Sequence, residues 1–144
     1  MIALDELDVE DWPRWRELRL QALADAPDAF SSTLISWQGA SETRWRARLR
    51  DVAYNLLAMD GTTPVGMVSG MDGDPVELIS LWVAPIVRGK GVGDALVRAV
   101  LAWSGPRATR LNVYPTNAPA IALYRRNGFT EVGLDEGELV MEHR

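Results

Sequence analysis

Apolar residues recur at every second position in some stretches of this chain and at every third or fourth in others, and the change of period marks out its elements. Residues 2–7 alternate as a short first strand. Asp8 or Asp11 is placed to cap a helix running to about Ala26, with Pro13 tolerated in its first turn and Trp12, Trp15, Leu18 and Ala22 on one face. Pro27 ends it, and Asp28 to Ala40 reads as a loop with a short helical turn. Ser41 caps a second helix, ETRWRARLRD, in which Trp45 and Leu49 share a face. Two strands follow, Val52 to Met59 and Pro64 to Met71, joined by the hairpin signal Asp60-Gly61-Thr62-Thr63.

A second turn, Asp72-Gly73-Asp74-Pro75, leads into a strand from Val76 to Ala84. Val92, Leu96, Val100 and Trp103 mark an amphipathic helix that stops near Ser104-Gly105-Pro106. Thr109 to Tyr114 reads as a strand and Asn117 to Arg126 as a helix stopped by Asn127-Gly128. Phe129 to Val132 and Glu138 to Glu142 close the series as short strands. The order is mixed α/β, and two built-in hairpin turns mean that its strands cannot all be parallel.

At 144 residues the chain is expected to form one domain, 1–144, large enough for a core of its own. It has no cysteine, which excludes disulfides, thiolate metal sites and a cysteine nucleophile. Its one histidine, His143, disfavours a multi-histidine metal site, so no metal is expected. No apolar run reaches the roughly 18–20 residues that span a bilayer, and the acidic start MIALDELDVEDW is unlike a signal peptide. The expectation is a cytoplasmic domain with no membrane partner. A formal charge of −5 argues against sequence-independent nucleic-acid binding and tilts slightly toward cationic partners. Exposed tryptophans or strand edges leave a homodimer open.

The chemistry concentrates between Glu77 and Gly93, ELISLWVAPIVRGKGVG, a strand, a proline turn and a glycine-rich loop opening into a helix. Backbone N–H groups of such a loop, with the positive end of the helix behind them, form an anion site suited to a phosphate or pyrophosphate. A dinucleotide fingerprint fails on it: Gly89-x-Gly91 is followed by Asp94, and Gly91-x-Gly93 by Leu96, where a third glycine is needed. A Walker loop fails because Lys90 is followed by Gly91.

Arg88-Gly89-Lys90-Gly91-Val92-Gly93 resembles the Q/R-x-x-G-x-G/A loop of the GNAT N-acetyltransferases. Leu81-Trp82-Val83-Ala84-Pro85 is similar to the end of that family's fourth strand. Asn117-Ala118-Pro119-Ala120-Ile121-Ala122-Leu123-Tyr124, followed by Gly128-Phe129, resembles its N-x-x-A-x-x-L-Y…G-F segment. The likeness is strongest over residues 52–133. It implies a mostly antiparallel sheet of about seven strands, flanked by about four helices, with the fourth and fifth strands splayed apart.

The resemblance also implies acetyl-CoA as acyl donor and a primary amine as acceptor, either a small molecule or a peptide or protein. Arg88, Gly89, Lys90, Gly91, Val92 and Gly93 would hold the pyrophosphate, and Trp82, Val83 and Ala84 would line the pantetheine arm. A backbone N–H near Val83 would polarise the thioester, and Asn117 would lie beside the cofactor while capping its helix. Tyr124 would protonate the departing thiolate and Glu77 would serve as general base, with Asp74 a weaker candidate. A fifth-strand glutamate found in the subset acting on protein N-termini is Asn112 here, which is not a base. Phe30, Ser31, Ser32 and Trp37 fall where the family builds its acceptor pocket, or simply pack between helices. Direct transfer through a ternary complex leads. A non-catalytic acyl-CoA-binding or sensing domain is the alternative, and a fold-only interaction module is a third class. The acceptor is not legible.

Overall fold

A computed structural model describes residues 2–27 and 33–144. Seven strands form one sheet in the order β1-β2-β3-β4-β5-β7-β6. They are β1 (Ile2–Glu6), β2 (Tyr54–Asp60), β3 (Thr63–Met71), β4 (Val76–Val83), β5 (Thr109–Val113), β6 (Thr130–Asp135) and β7 (Glu138–His143). Five α-helices accompany them among the described residues: α1 (Trp12–Asp25), α2 (Leu34–Gln38), α3 (Glu42–Asp51), α4 (Val92–Ser104) and α5 (Ala118–Arg126). All neighbouring strands are antiparallel except β4 and β5. The expected mixed, mostly antiparallel architecture is the one observed.

Helix starts follow the side-chain caps. Asp8 forms a capping box with Asp11 around a 3-10 turn that feeds α1. Ser41 Oγ accepts from the Arg44 N–H at 3.2 Å and opens α3. The helical turn expected between Asp28 and Ala40 is α2, capped by Thr33, while Phe30, Ser31 and Ser32 lie outside the described residues. β2 begins at Tyr54 rather than Val52, because α3 runs on to Asp51 and Val52 is its extended C-cap. The last hairpin starts later than its apolar residues suggest. Phe129 is still tied by its N–H to the Tyr124 carbonyl at 3.0 Å, so β6 opens at Thr130.

The central strands are buried on both faces, and their period of two sorts side chains between two cores. Leu56, Ala58, Val68 and Leu78 meet Leu96, Val97 and Val100 of α4 together with Ile121 and Tyr124 of α5. Leu57 and Met67 meet Trp15, Leu18 and Ala22 of α1 and Trp45 and Leu49 of α3. The sheet therefore separates an α1–α3 layer from an α4–α5 layer.

Two irregularities in β4 shape the middle of the sheet. β4 and β5 pair only at Val76 with Thr109 and Glu77 with Arg110, and past that point they diverge. On its other edge, Met67 faces Trp82 but Ser69 faces Ile79, so Ser80 and Leu81 together oppose Val68. This is a β-bulge. Its residue Ser80 sits at φ 59°, a left-handed conformation that costs a non-glycine residue about 1 kcal/mol or more. The splay implied by the sequence resemblance is thus present, and a bulge sits beside it.

Candidate active site

The bulge divides the lining of two cavities. Leu78, Ile79 and Ser80 face a cavity of about 760 Å³ on the α1–α3 side. Leu81, Trp82 and Val83 face one of about 550 Å³ beside the N-terminus of α4 and the wall of α5. Consecutive residues of one strand thus reach two chambers, and the larger one also takes in Arg110, Leu111 and Asn112 of β5 across the gap between β4 and β5.

The smaller chamber collects most of the residues expected at a donor site: Trp82, Val83, Arg88, Gly89, Gly91, Val92, Gly93 and Asn117. Ala84 and Lys90 stand outside its lining. Ala84 donates its N–H to Val65 at 2.8 Å, and Lys90 is exposed on the loop. Because antiparallel backbone groups alternate, Val83 turns its own N–H and carbonyl away from β3 toward the opening. The Val83 carbonyl accepts from Arg88 Nε at 3.0 Å.

Gly91 is the N-cap of α4 at φ 81°, and a Cβ there would meet no atom within 4 Å; backbone conformation, rather than space, calls for glycine. Gly93 differs. A Cβ on it would lie 3.1 Å from Leu123 Cδ2, so its small size lets α4 and α5 approach closely. The open loop and the helix N-terminus fit a pyrophosphate, with the N–H groups of Gly91, Val92 and Gly93 at the helix start. Asn117 caps α5, its Oδ1 accepting from the Ala120 N–H at 3.4 Å, and lines the same chamber.

Two carboxylates that the sequence reading did not single out hold this chamber together. Asp25, at the end of α1, accepts from Trp82 Nε1 at 3.0 Å and from Arg88 Nη2 at 2.7 Å. The Trp82 and Arg88 hydrogen bonds hold its carboxyl below the usual range. The Arg88 guanidinium is therefore committed to Asp25 and Val83 rather than standing as a bare charge at the rim. Asp94, in the first turn of α4, receives Arg126 Nε and Nη2 at 2.9 and 3.0 Å and Asn127 Nδ2 at 2.9 Å. Arg126 chiefly pulls its pKa down to about 2. These bonds fasten α4 to the end of α5. No signal in the sequence pairs residues so far apart.

Tyr124 lies one turn beyond Ala120 on α5, buried edge-on against Phe129 at 5.7 Å, and it is not in the lining of either chamber. Burial raises its phenol above the ordinary tyrosine range, so it stays protonated. Glu77 is exposed on β4 and lines the larger chamber, three residues before the bulge, about 10 Å along an extended strand. Asn112 and Trp37 line that chamber too, whereas Asp74 is exposed on its turn and is not part of the lining. His143 ends β7 and packs on Phe129 at 5.6 Å. Among the described residues, no helix is long and apolar enough to cross a membrane.

Among solved structures, the PaiA N-acetyltransferase of Thermoplasma acidophilum, in complex with coenzyme A, superposes with a TM-score of 0.77 at 22% identity, over 100% of this chain and 99% of that one. The ribosomal-protein-S18-alanine N-acetyltransferase of Escherichia coli superposes with a TM-score of 0.74 at 20% identity, over 99% and 93%. At these identities the likeness is one of fold. In sequence, a mycothiol acetyltransferase of Clavibacter sepedonicus is 32% identical over 142 residues, 93% of this chain and 44% of the relative. One from Streptomyces coelicolor is 37% identical over 97 residues, 66% and 31%. The chain thus spans less than half the length of these relatives. Residues 5–129 match the model of the acetyltransferase (GNAT) family, and the chain belongs to that family.

Proposed function

We propose that this domain transfers an acetyl group from acetyl-CoA directly to a primary amine. The observation that carries the reading is the pair of chambers parted by the β4 bulge: one offers a glycine loop and a helix N-terminus to an anionic donor, and the other is open to an acceptor. Family membership and relatives named for acetyl transfer support it.

In this reading the loop from Arg88 to Gly93 binds pyrophosphate through its N–H groups, and Asn117 borders the arm of the donor. Val83 donates its N–H to the thioester oxygen as charge grows there. Glu77, through a water, takes the proton from the acceptor ammonium, whose nitrogen then bonds to the acetyl carbon as the carbon–sulfur bond breaks. Tyr124 donates its proton toward the departing sulfur. Afterwards the new amide nitrogen gives up its second proton to water, the Tyr124 phenolate takes one up as Glu77 returns the one it held, and the net release is one proton per turnover. Cysteine is absent from the chain, so no cysteinyl acyl-enzyme takes part. We place the reaction in the cytoplasm.

The burial of Tyr124 favours one second reading, an acyl-CoA sensor that binds without turnover. Thiol release from acetyl-CoA, followed with a panel of small amines and peptides, decides between them. Turnover supports transfer; tight CoA binding with no turnover on any amine supports the sensor. In either case Gly91→Val should abolish CoA binding in a folded protein.

A further inference from the structure

The larger chamber has a basic wall. Arg48, in the last turn of α3, donates from Nη1 to Asn55 Oδ1 at 3.0 Å and from Nη2 to Ser69 Oγ at 3.1 Å and Ser80 Oγ at 3.2 Å. Its guanidinium lies over the Trp15 ring, 4.9 Å from the centroid. All three acceptors are neutral, so they aim the guanidinium without cancelling its charge. Arg19 of α1, only 8% exposed, lines the same chamber. Burial lowers both guanidinium groups to about 10, and for Arg48 the charge of Arg19 adds to the effect. Like charges brought together in a partly dry wall are unfavourable, and an anion between them reverses the sign of that interaction. The indole N–H groups of Trp15 and Trp45, whose residues belong to the same wall, are buried with no acceptor among the described residues.

Glu77, Asp135 and Glu138 line the chamber as well, so it carries both signs of charge. A purely cationic acceptor would leave Arg48 uncompensated. A zwitterion would answer both groups of charges.

Resting on the transferase reading above, we propose that the acceptor is a small primary amine that also bears a carboxylate, with Arg48 receiving the carboxylate beside Arg19 and the amine lying toward Glu77. The net charge of the chain points the other way, toward cationic partners, but a pocket is governed by the charges that line it. Because Arg48 also holds Ser80, a carboxylate docked there would bear on the bulge that parts the two chambers.

The test is calorimetric titration of the CoA-loaded protein with N-acetyl derivatives of the protein amino acids and of 4-aminobutanoate, each beside its carboxamide. The expected result is that one or more acids bind at least about tenfold more tightly than the matching amide. Arg48→Gln should bring that ratio close to one with CoA affinity unchanged, and Arg48→Lys should keep part of it. Equal binding of acids and amides, or no binding by any acid, overturns the proposal in the wild type alone, whether or not the variants fold. A ratio that survives Arg48→Gln also overturns it. Thiol release with the parent amines separates this from the broader reading. Acid-selective binding without turnover keeps the anion site and removes the transferase. Turnover with no preference for carboxylates does the reverse.

Discussion

Asp25 and Arg88, 63 positions apart, meet through a 2.7 Å hydrogen bond between carboxylate and guanidinium. With the Trp82 indole on the same oxygen, the bond ties the end of α1 to β4 and to the glycine loop. Asp25→Ala removes an exposed ion pair and strands a half-enclosed indole N–H. The expected loss is about 1 kcal/mol, read as a lower urea midpoint with an unchanged slope. Asp25→Asn, which still accepts from the indole, should recover part of it.

Asp94 gives the fold a defined acid limb. Its folded pKa, about 2, lies below the ordinary carboxylate value, so its contribution is complete above about pH 4 and is lost as pH falls toward 2. Stability measured across that window should fall less steeply in Asp94→Asn than in the wild type. At pH 7 the variant should be less stable by about 1–2 kcal/mol, allowing for an Arg126 that is largely exposed to solvent. Equal slopes in the two proteins would remove the Arg126 pairing as a source of stability.

Gly93 and Leu123 compete for the same space. Gly93→Ala places a Cβ 3.1 Å from Leu123 Cδ2, so the Leu123 side chain must give by a few tenths of an ångström. We expect a loss of about 1 kcal/mol and weaker CoA binding. Adding Leu123→Ala should recover part of the affinity, giving a favourable coupling in the double-mutant cycle. Independent effects would instead assign Gly93 to ligand contact alone.

Tyr124→Phe should lower turnover by about 10²-fold while CoA affinity holds, because only the proton donor is lost. With the phenol pushed up by burial, the wild-type rate should show no alkaline decline from tyrosine ionisation below about pH 10. A variant as active as wild type ends the assignment.

Glu77→Gln should slow turnover by a similar factor near neutral pH. Part of the rate should return at high pH, where the amine reaches the site already deprotonated. A loss that is constant with pH would make Glu77 a binding group and not a base.

Much of this protein is written in short-range pattern. Asp8, Ser41 and Asn117 are legible as caps because a cap bonds a backbone two or three residues away. The alternation of Leu56 and Leu57 between two cores follows from a strand's period of two. The hairpin at Asp60 to Thr63 and the loop from Arg88 to Gly93 are likewise local statements.

Tertiary structure decided what distance along the chain conceals. It set β7 between β5 and β6, and it formed a bulge at Ser80, where no glycine announces one. It withdrew the Arg88 charge from the loop rim by giving it Asp25, and it buried Tyr124 outside the lining of either chamber. It also drew Arg19 and Arg48 into one wall of a chain whose net charge is −5. Caps and periodicities depend on neighbours within about four residues, so the sequence determines them by itself. Charge pairing depends on which side chains the folded sheet and helices bring within a few ångströms, and only the tertiary structure decides that.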